Sequence, residues 1–191
     1  MDKKGHRMGS PASKENAGTS TEGKTPKEIF DMGIMHGDVT LVQQGLDAGV
    51  DPSVFNNLAI QNASQDGYLE VIKLLLKDKR VDPKANSNYA IHMAAINGYL
   101  DVIKLLWKDN RIDKTANDLF AIQWAADYSN IDIIEFLLED GRADPTTWDN
   151  WAIRRASKYG RKDIVELLLN DKRVWTTLSQ KLRKEFTTMI N

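Results

Sequence analysis

The chain has 191 residues, 41% of them hydrophobic, enough for one buried core and a short tail. Its 26 Lys and Arg against 27 Asp and Glu give a formal charge of −1, so no global field selects nucleic acid or an anionic membrane. The absence of cysteine removes disulfides, cysteine nucleophiles and thiolate metal sites, and it fits a reducing compartment.

Residues 1–24 carry two methionines and two alanines as their only apolar side chains. Burial there cannot offset the entropy of ordering, so a disordered polar tail is expected. The tail lacks the apolar stretch of a secretory signal, and no later apolar run approaches a membrane span. An intracellular setting, cytoplasmic or nuclear, follows as the expectation.

A degenerate first unit covers about 25–55. Thr25-Pro26-Lys27-Glu28 reads as a capping box with proline at the first helical position. Gly37-Asp38-Val39-Thr40-Leu41-Val42 then opens a second helix, and Ala48-Gly49-Val50-Asp51-Pro52 forms a loop one residue shorter than the later ones.

From Asn56 onward the chain repeats every 31 residues, giving units at about 56–86, 87–117, 118–148 and 149–175. Ala59, Ala90, Ala121 and Ala152 fall in register. So do Ile60, Ile91, Ile122 and Ile153, and Ala63, Ala94, Ala125 and Ala156. Leu75, Leu106, Leu137 and Leu168 form another apolar column, and Arg80, Arg111, Arg142 and Arg173 a cationic one. A period of this size predicts a stacked array in which each unit completes its neighbour's core.

Each unit predicts two helices. Ala90-Ile91-His92-Met93-Ala94-Ala95 forms the first, Asn97-Gly98 breaks it, and Leu100-Asp101-Val102-Ile103-Lys104-Leu105-Leu106 forms the second with a wide apolar face. Glu70, Asp101, Asp132 and Asp163 open the second helices, where an acid complements the positive end. A Pro/Asn loop such as Asp82-Pro83-Lys84-Ala85-Asn86 leads onward. At the end, Trp175-Thr176 replaces the Asp-Pro pair. Leu178, Leu182, Phe186 and Met189 recur at helical spacing, which predicts a capping helix within 176–191.

Tyr89-Ala90-Ile91-His92-Met93-Ala94-Ala95 resembles the Thr-Pro-Leu-His-x-Ala-Ala opening of the ankyrin repeat. Gly67-Tyr68-Leu69-Glu70-Val71-Ile72-Lys73-Leu74-Leu75 resembles its Gly-x-Leu-Glu-Val-Val-x-Leu-Leu stretch. The resemblance covers roughly 25–175. It implies an all-α solenoid of about five stacked helix–turn–helix repeats, and at about 8–10 Å per layer a rod about 40–50 Å long. It also implies a monomer that binds a protein partner through its concave face, with no cofactor and no small-molecule substrate. The units are shorter than the usual 33 residues, which predicts a projecting β-hairpin finger clipped to a tight turn. The usual Thr-Pro is missing from the four full units.

Chemistry is sparse. His6, His36 and His92 are the only histidines: His6 lies in the tail, His36 in a turn, and His92 at the family's structural position. Without cysteine they give no zinc spacing, and no nucleophile–base pair or phosphate loop is present, so no catalytic, metal or cofactor site is expected. The arginine column reads either as a phosphate stripe or as cations closing each second helix. Recurrence beside Asp82, Asp113 and Asp144 favours the structural reading.

Positions that differ between units are freer of packing. Those ending the first helix are Gln65, Asp66, Ile96, Asn97, Asp127, Tyr128, Lys158 and Tyr159. A column before the constant alanine carries Leu58, Tyr89, Phe120 and Trp151, and a loop-tip column carries Phe55, Asn86, Asn117 and Trp148. From these the expected partner surface is Gln65, Asp66, Tyr89, Ile96, Asn97, Phe120, Asp127, Tyr128, Trp148, Trp151, Lys158 and Tyr159, rich in the residue types that make hot spots. Trp148 and Trp151 stand equally between packing and recognition. Met93 and Trp124 read as inter-repeat packing, and Trp107 as core. The expected function is an adaptor, scaffold or competitive blocker. The alternative, nucleic-acid binding through the arginines with Lys158, Arg161 and Lys162, is disfavoured by the near-zero charge, and an enzyme more so.

Overall fold

The computed structural model describes residues 20–112 and 120–191, and every regular element among them is helical. The tail before residue 20, including His6, and the loop residues Asp113 and Asn117 lie outside the described residues. The helices follow the 31-residue grammar in pairs: α1 (Pro26–His36) with α2 (Val39–Asp47), α3 (Val54–Gln65) with α4 (Leu69–Leu75), and α5 (Ala85–Asn97) with α6 (Leu100–Lys108). Then come α7 (Ala121–Asp127) with α8 (Ile131–Asp140), and α9 (Thr147–Lys158) with α10 (Lys162–Asn170). The first helices pack in series from α1 to α9, and the second helices in series from α2 to α10, so the array has two layers. His36 is the last residue of α1 and not part of a turn.

The seam between layers is built from the constant columns. Ala63, Ala94, Ala125 and Ala156 are fully buried, and their small side chains let adjacent first helices approach. Leu75, Leu106, Leu137 and Leu168 are fully buried beneath them. Burying each such leucine contributes roughly 1.5–3 kcal/mol. Trp107 fills the same core at 1% exposure, where the other units place a leucine.

The Thr25 capping box forms, with the Thr25 side chain accepting from the Glu28 N–H and Glu28 reaching back to the Thr25 N–H at 2.7 Å. Glu70, Asp101, Asp132 and Asp163 each sit in the first turn of a second helix. Only Asp38 caps α2 with its side chain. The equivalent Tyr68, Asn130 and Arg161 instead reach back one unit. Tyr68 donates to the Met35 carbonyl at 3.2 Å, Asn130 to Ala95 at 2.6 Å and Ile96 at 3.0 Å, and Arg161 to Ala126. The preceding glycine makes room: Gly67 has φ +73°, and a Cβ there would lie 2.7 Å from the Tyr99 ring.

The arginine column is structural. Arg111 donates to the Val81 carbonyl at 2.7 Å and to Leu76 at 3.1 Å, while Arg173 reaches Gly141, Ala143 and Leu138 of the preceding unit. The carboxylate partners are Asp78, Asp109, Asp140 and Asp171, each two residues upstream. The loop acids Asp82 and Asp144 accept backbone N–H groups of Lys84 and Thr146 in their own loops and act on Arg111 and Arg173 electrostatically, without a direct ion pair.

No strand occurs among the described residues. In place of a finger, three consecutive residues enter the left-handed region ahead of the regular helix: Phe55-Asn56-Asn57, Asn86-Ser87-Asn88 and Trp148-Asp149-Asn150, with φ between 52° and 63°. The third residue is a buried asparagine, and two of the three tie the turn to the next unit. Asn57 Oδ1 accepts the Asp82 N–H at 2.7 Å, and Asn150 Oδ1 accepts the Thr177 hydroxyl at 2.9 Å. After α10 a short helix α11 (Lys172–Thr177) takes the place of the Asp-Pro loop. Then α12 (Gln180–Ile190) packs on α10 and buries Phe186.

Candidate protein-interaction face

Every residue assigned to the partner surface lies on a first helix or on a residue flanking one. Gln65 and Asp66 end α3, Tyr89, Ile96 and Asn97 belong to α5, and Phe120, Asp127 and Tyr128 bracket α7. Trp148, Trp151, Lys158 and Tyr159 belong to α9 and its cap. The left-handed turn explains the loop-tip column, since it turns its first residue outward: Phe55 is 72% exposed and Trp148 64%. Bulky side chains are costly in this region, so these aromatics are held there by the surrounding fold.

The face has two ends of different chemistry. Between α1 and α3 lies an open cleft of about 380 Å³, lined by Phe30, Ile34, Met35, Phe55 and Leu58, with Gln65 and Asp66 on its rim. Met35, Val54, Phe55 and Leu58 are all exposed there, and Lys27 lies 5.9 Å from the Phe55 ring centre. Sequence reasoning undervalued this cleft, because Met35 belongs to the degenerate first unit and Leu58 was read only as one member of a column.

At the other end Arg155 organises the site. Its Nε donates to Asp127 Oδ1 at 2.7 Å, and its guanidinium lies 5.2 Å from the Trp151 ring centre and 4.8 Å from that of Tyr159. Arg161 covers Tyr159 at 5.2 Å. Trp151, Arg155, Tyr159 and Arg161 thus form a ladder of alternating rings and cations. Trp151 is half-buried, whereas Tyr128 and Tyr159 are 54% and 51% exposed. Trp148 packs on Phe120 with ring centres 4.5 Å apart, and the half-buried Trp124 lies 6.2 Å from the His92 ring. Lys158 is exposed, and Asn97 donates to the Met93 carbonyl within its own helix. Arg155 was missed in the sequence because its column reads Asn62, Met93, Trp124, Arg155, with no shared chemistry. Its spacing of four residues from both Trp151 and Tyr159 was the available signal.

No cluster of metal-ligating side chains forms among the described residues, and none of the described helices is long and apolar enough to cross a membrane.

Stacked helix pairs of near-identical length, sharing one seam and differing on one face, define a helical repeat solenoid. A family model of three ankyrin repeats matches residues 32–118, and a single ankyrin-repeat model matches 117–150. The chain belongs to the ankyrin-repeat family. Ankyrin repeats are generally protein–protein interaction modules and typically not enzymes. No curated protein matches the chain in sequence.

Proposed function

We propose that this protein is a binding module without catalytic activity, an adaptor, scaffold or competitive blocker, and that its first-helix face recognises a protein partner. One observation carries the reading. Of the nine large hydrophobic residues exposed among the described residues, seven lie on first helices or cap them: Met35, Val54, Phe55, Leu58, Tyr128, Trp148 and Tyr159. Only Val39 and Trp175 fall elsewhere. Scattered exposed hydrophobics mean little, but apolar side chains gathered on one face of a rigid array suit an interface. Because the array is already ordered, association freezes few degrees of freedom.

The test is selection from a random peptide-display library on immobilised protein, comparing the wild type with Phe55→Asn and Leu58→Ser. The wild type is expected to enrich peptides of shared pattern, and both variants to lose them. Asparagine already occupies the equivalent left-handed position at Asn86. Phe55→Asn should therefore raise unfolding stability by roughly 1 kcal/mol while weakening binding. Equal enrichment on all three proteins would show that the face is not used.

A further inference from the structure

The charge of the chain is unevenly placed. Residues 151–191 hold ten Lys and Arg against four Asp and Glu, a net +6 in a chain of total −1, which leaves −7 for the first 150 residues. Part of this excess converges on the turn between α9 and α10, where Lys158, Arg161 and Lys162 lie within five residues. Of the carboxylates near the turn, Asp127 is engaged by Arg155, and Asp163 in the first turn of α10 accepts the Ile164 N–H. Among the described residues no carboxylate forms an ion pair with Lys158, Arg161 or Lys162. Arg161 is fixed by the Ala126 carbonyl and the Tyr159 ring, which orient its charge without neutralising it. Exposed Tyr128 and Tyr159, the C-terminal caps of α7 and α9, border the patch.

We infer that this end of the first-helix face takes an acidic segment of the partner protein, a run of carboxylates interspersed with aliphatic or aromatic side chains. The inference rests on the proposed function above and names the chemistry of the partner. Uncompensated lysines on an exposed turn attract carboxylates and speed encounter, and the flanking rings supply apolar contact for the residues between them. A nucleic acid strand would need open ring faces for base stacking. Here Arg155 and Arg161 lie over Tyr159, Arg155 also lies over Trp151, and Phe120 packs against Trp148. Among the described residues here, this leaves Tyr128 beside the cations as the single ring without a cation or a second ring against it, which fits an acidic peptide better than a run of stacked bases.

The experiment is fluorescence anisotropy on the full chain with a fluorescein-labelled peptide of about twelve residues alternating glutamate and leucine. A lysine–leucine counterpart and an oligothymidylate of equal length are the controls, at about 50 mM and about 500 mM salt. The glutamate peptide is expected to bind at low salt, to weaken at least about tenfold at high salt, and to exceed both controls. The double variant K158E/K162E should lose at least about tenfold at low salt with an unchanged circular dichroism melt, since both side chains are exposed. Val39→Ser, an exposed position on α2 outside the first-helix face, should leave this affinity unchanged. Absence of binding, equal binding by K158E/K162E, or tighter binding of the oligothymidylate would each overturn the assignment. A salt-sensitive dimer in sedimentation, abolished by K158E/K162E, would reassign the patch to a second copy of the chain. Where the probe fails but library selection still depends on Phe55 and Leu58, the proposed function stands and only the acidic partner is lost.

Discussion

Arg155 joins two repeats: its Nε donates to Asp127 Oδ1 at 2.7 Å while its guanidinium stacks 4.8 Å from the Tyr159 ring centre. Asp127 is only 12% exposed at its side chain, so removing Arg155 leaves a poorly solvated carboxylate beside two unsupported rings. Arg155→Ala should cost roughly 1–3 kcal/mol in urea unfolding. Adding Asp127→Ala should cost less than the sum of the single changes, because the orphaned charge is then gone. Arg155→Lys keeps the charge but not the planar stack and should fall between. Additive single and double effects would show that the pair is not coupled.

Gly67 and Gly49 separate backbone strain from crowding. Both have positive φ, +73° and +88°, so alanine at either costs about 1–2 kcal/mol from conformation alone. Gly49 has nothing within 4 Å of a new Cβ, whereas at Gly67 the Tyr99 ring lies at 2.7 Å. Tyr99 packs against the core and cannot swing freely. Gly67→Ala should therefore lose a further 1–3 kcal/mol or so relative to Gly49→Ala, measured as the shift in urea midpoint. Replacing Tyr99 with alanine in the Gly67→Ala background should return part of that difference. Equal midpoints for the two glycine variants would contradict the stacking of Tyr99 on the preceding turn.

Much of the scaffold was legible from Asn56 onward because its determinants recur. Ala94 and Leu106 are buried for the same reason as Ala125 and Leu137, and a 31-residue register exposes that identity without knowledge of contacts. The joints between units were less legible, because different residues perform one task. Tyr68, Asn130 and Arg161 all donate to carbonyls of the preceding unit from the same turn position, although a phenol, an amide and a guanidinium share no pattern in sequence. The arginine column is legible as structural, but which acid binds each guanidinium directly is not. Asp82 looked like a partner, yet it holds its own loop, while Asp78 and its equivalents meet the guanidinium across two residues. The proposed partner face corresponds in the sequence to a set of variable positions. Its hub, Arg155, and its apolar cleft at Met35 and Leu58 emerge only when neighbouring first helices are placed side by side.

Acid should loosen the joints through these same pairs. The hydrogen bond from Arg142 is the chief reason that the Asp140 carboxyl is lowered to about 2 from its ordinary 3.8. Arg80 likewise lowers Asp78, and at Asp171 burial pushes upward but the hydrogen bonds from Arg173 prevail. A carboxyl whose folded value lies below its unfolded value stabilises fully above the unfolded value and loses that contribution as pH falls through the folded one. Stability should therefore be flat near neutrality and decline between about pH 4 and about pH 2. Asp140→Asn removes one titrating pair: it should be less stable than the wild type at pH 7 and should lose less on acidification, so the two urea-midpoint curves converge toward about pH 2. Parallel curves across that range would mean that the Asp140–Arg142 pair contributes nothing to holding the fourth repeat against its neighbours.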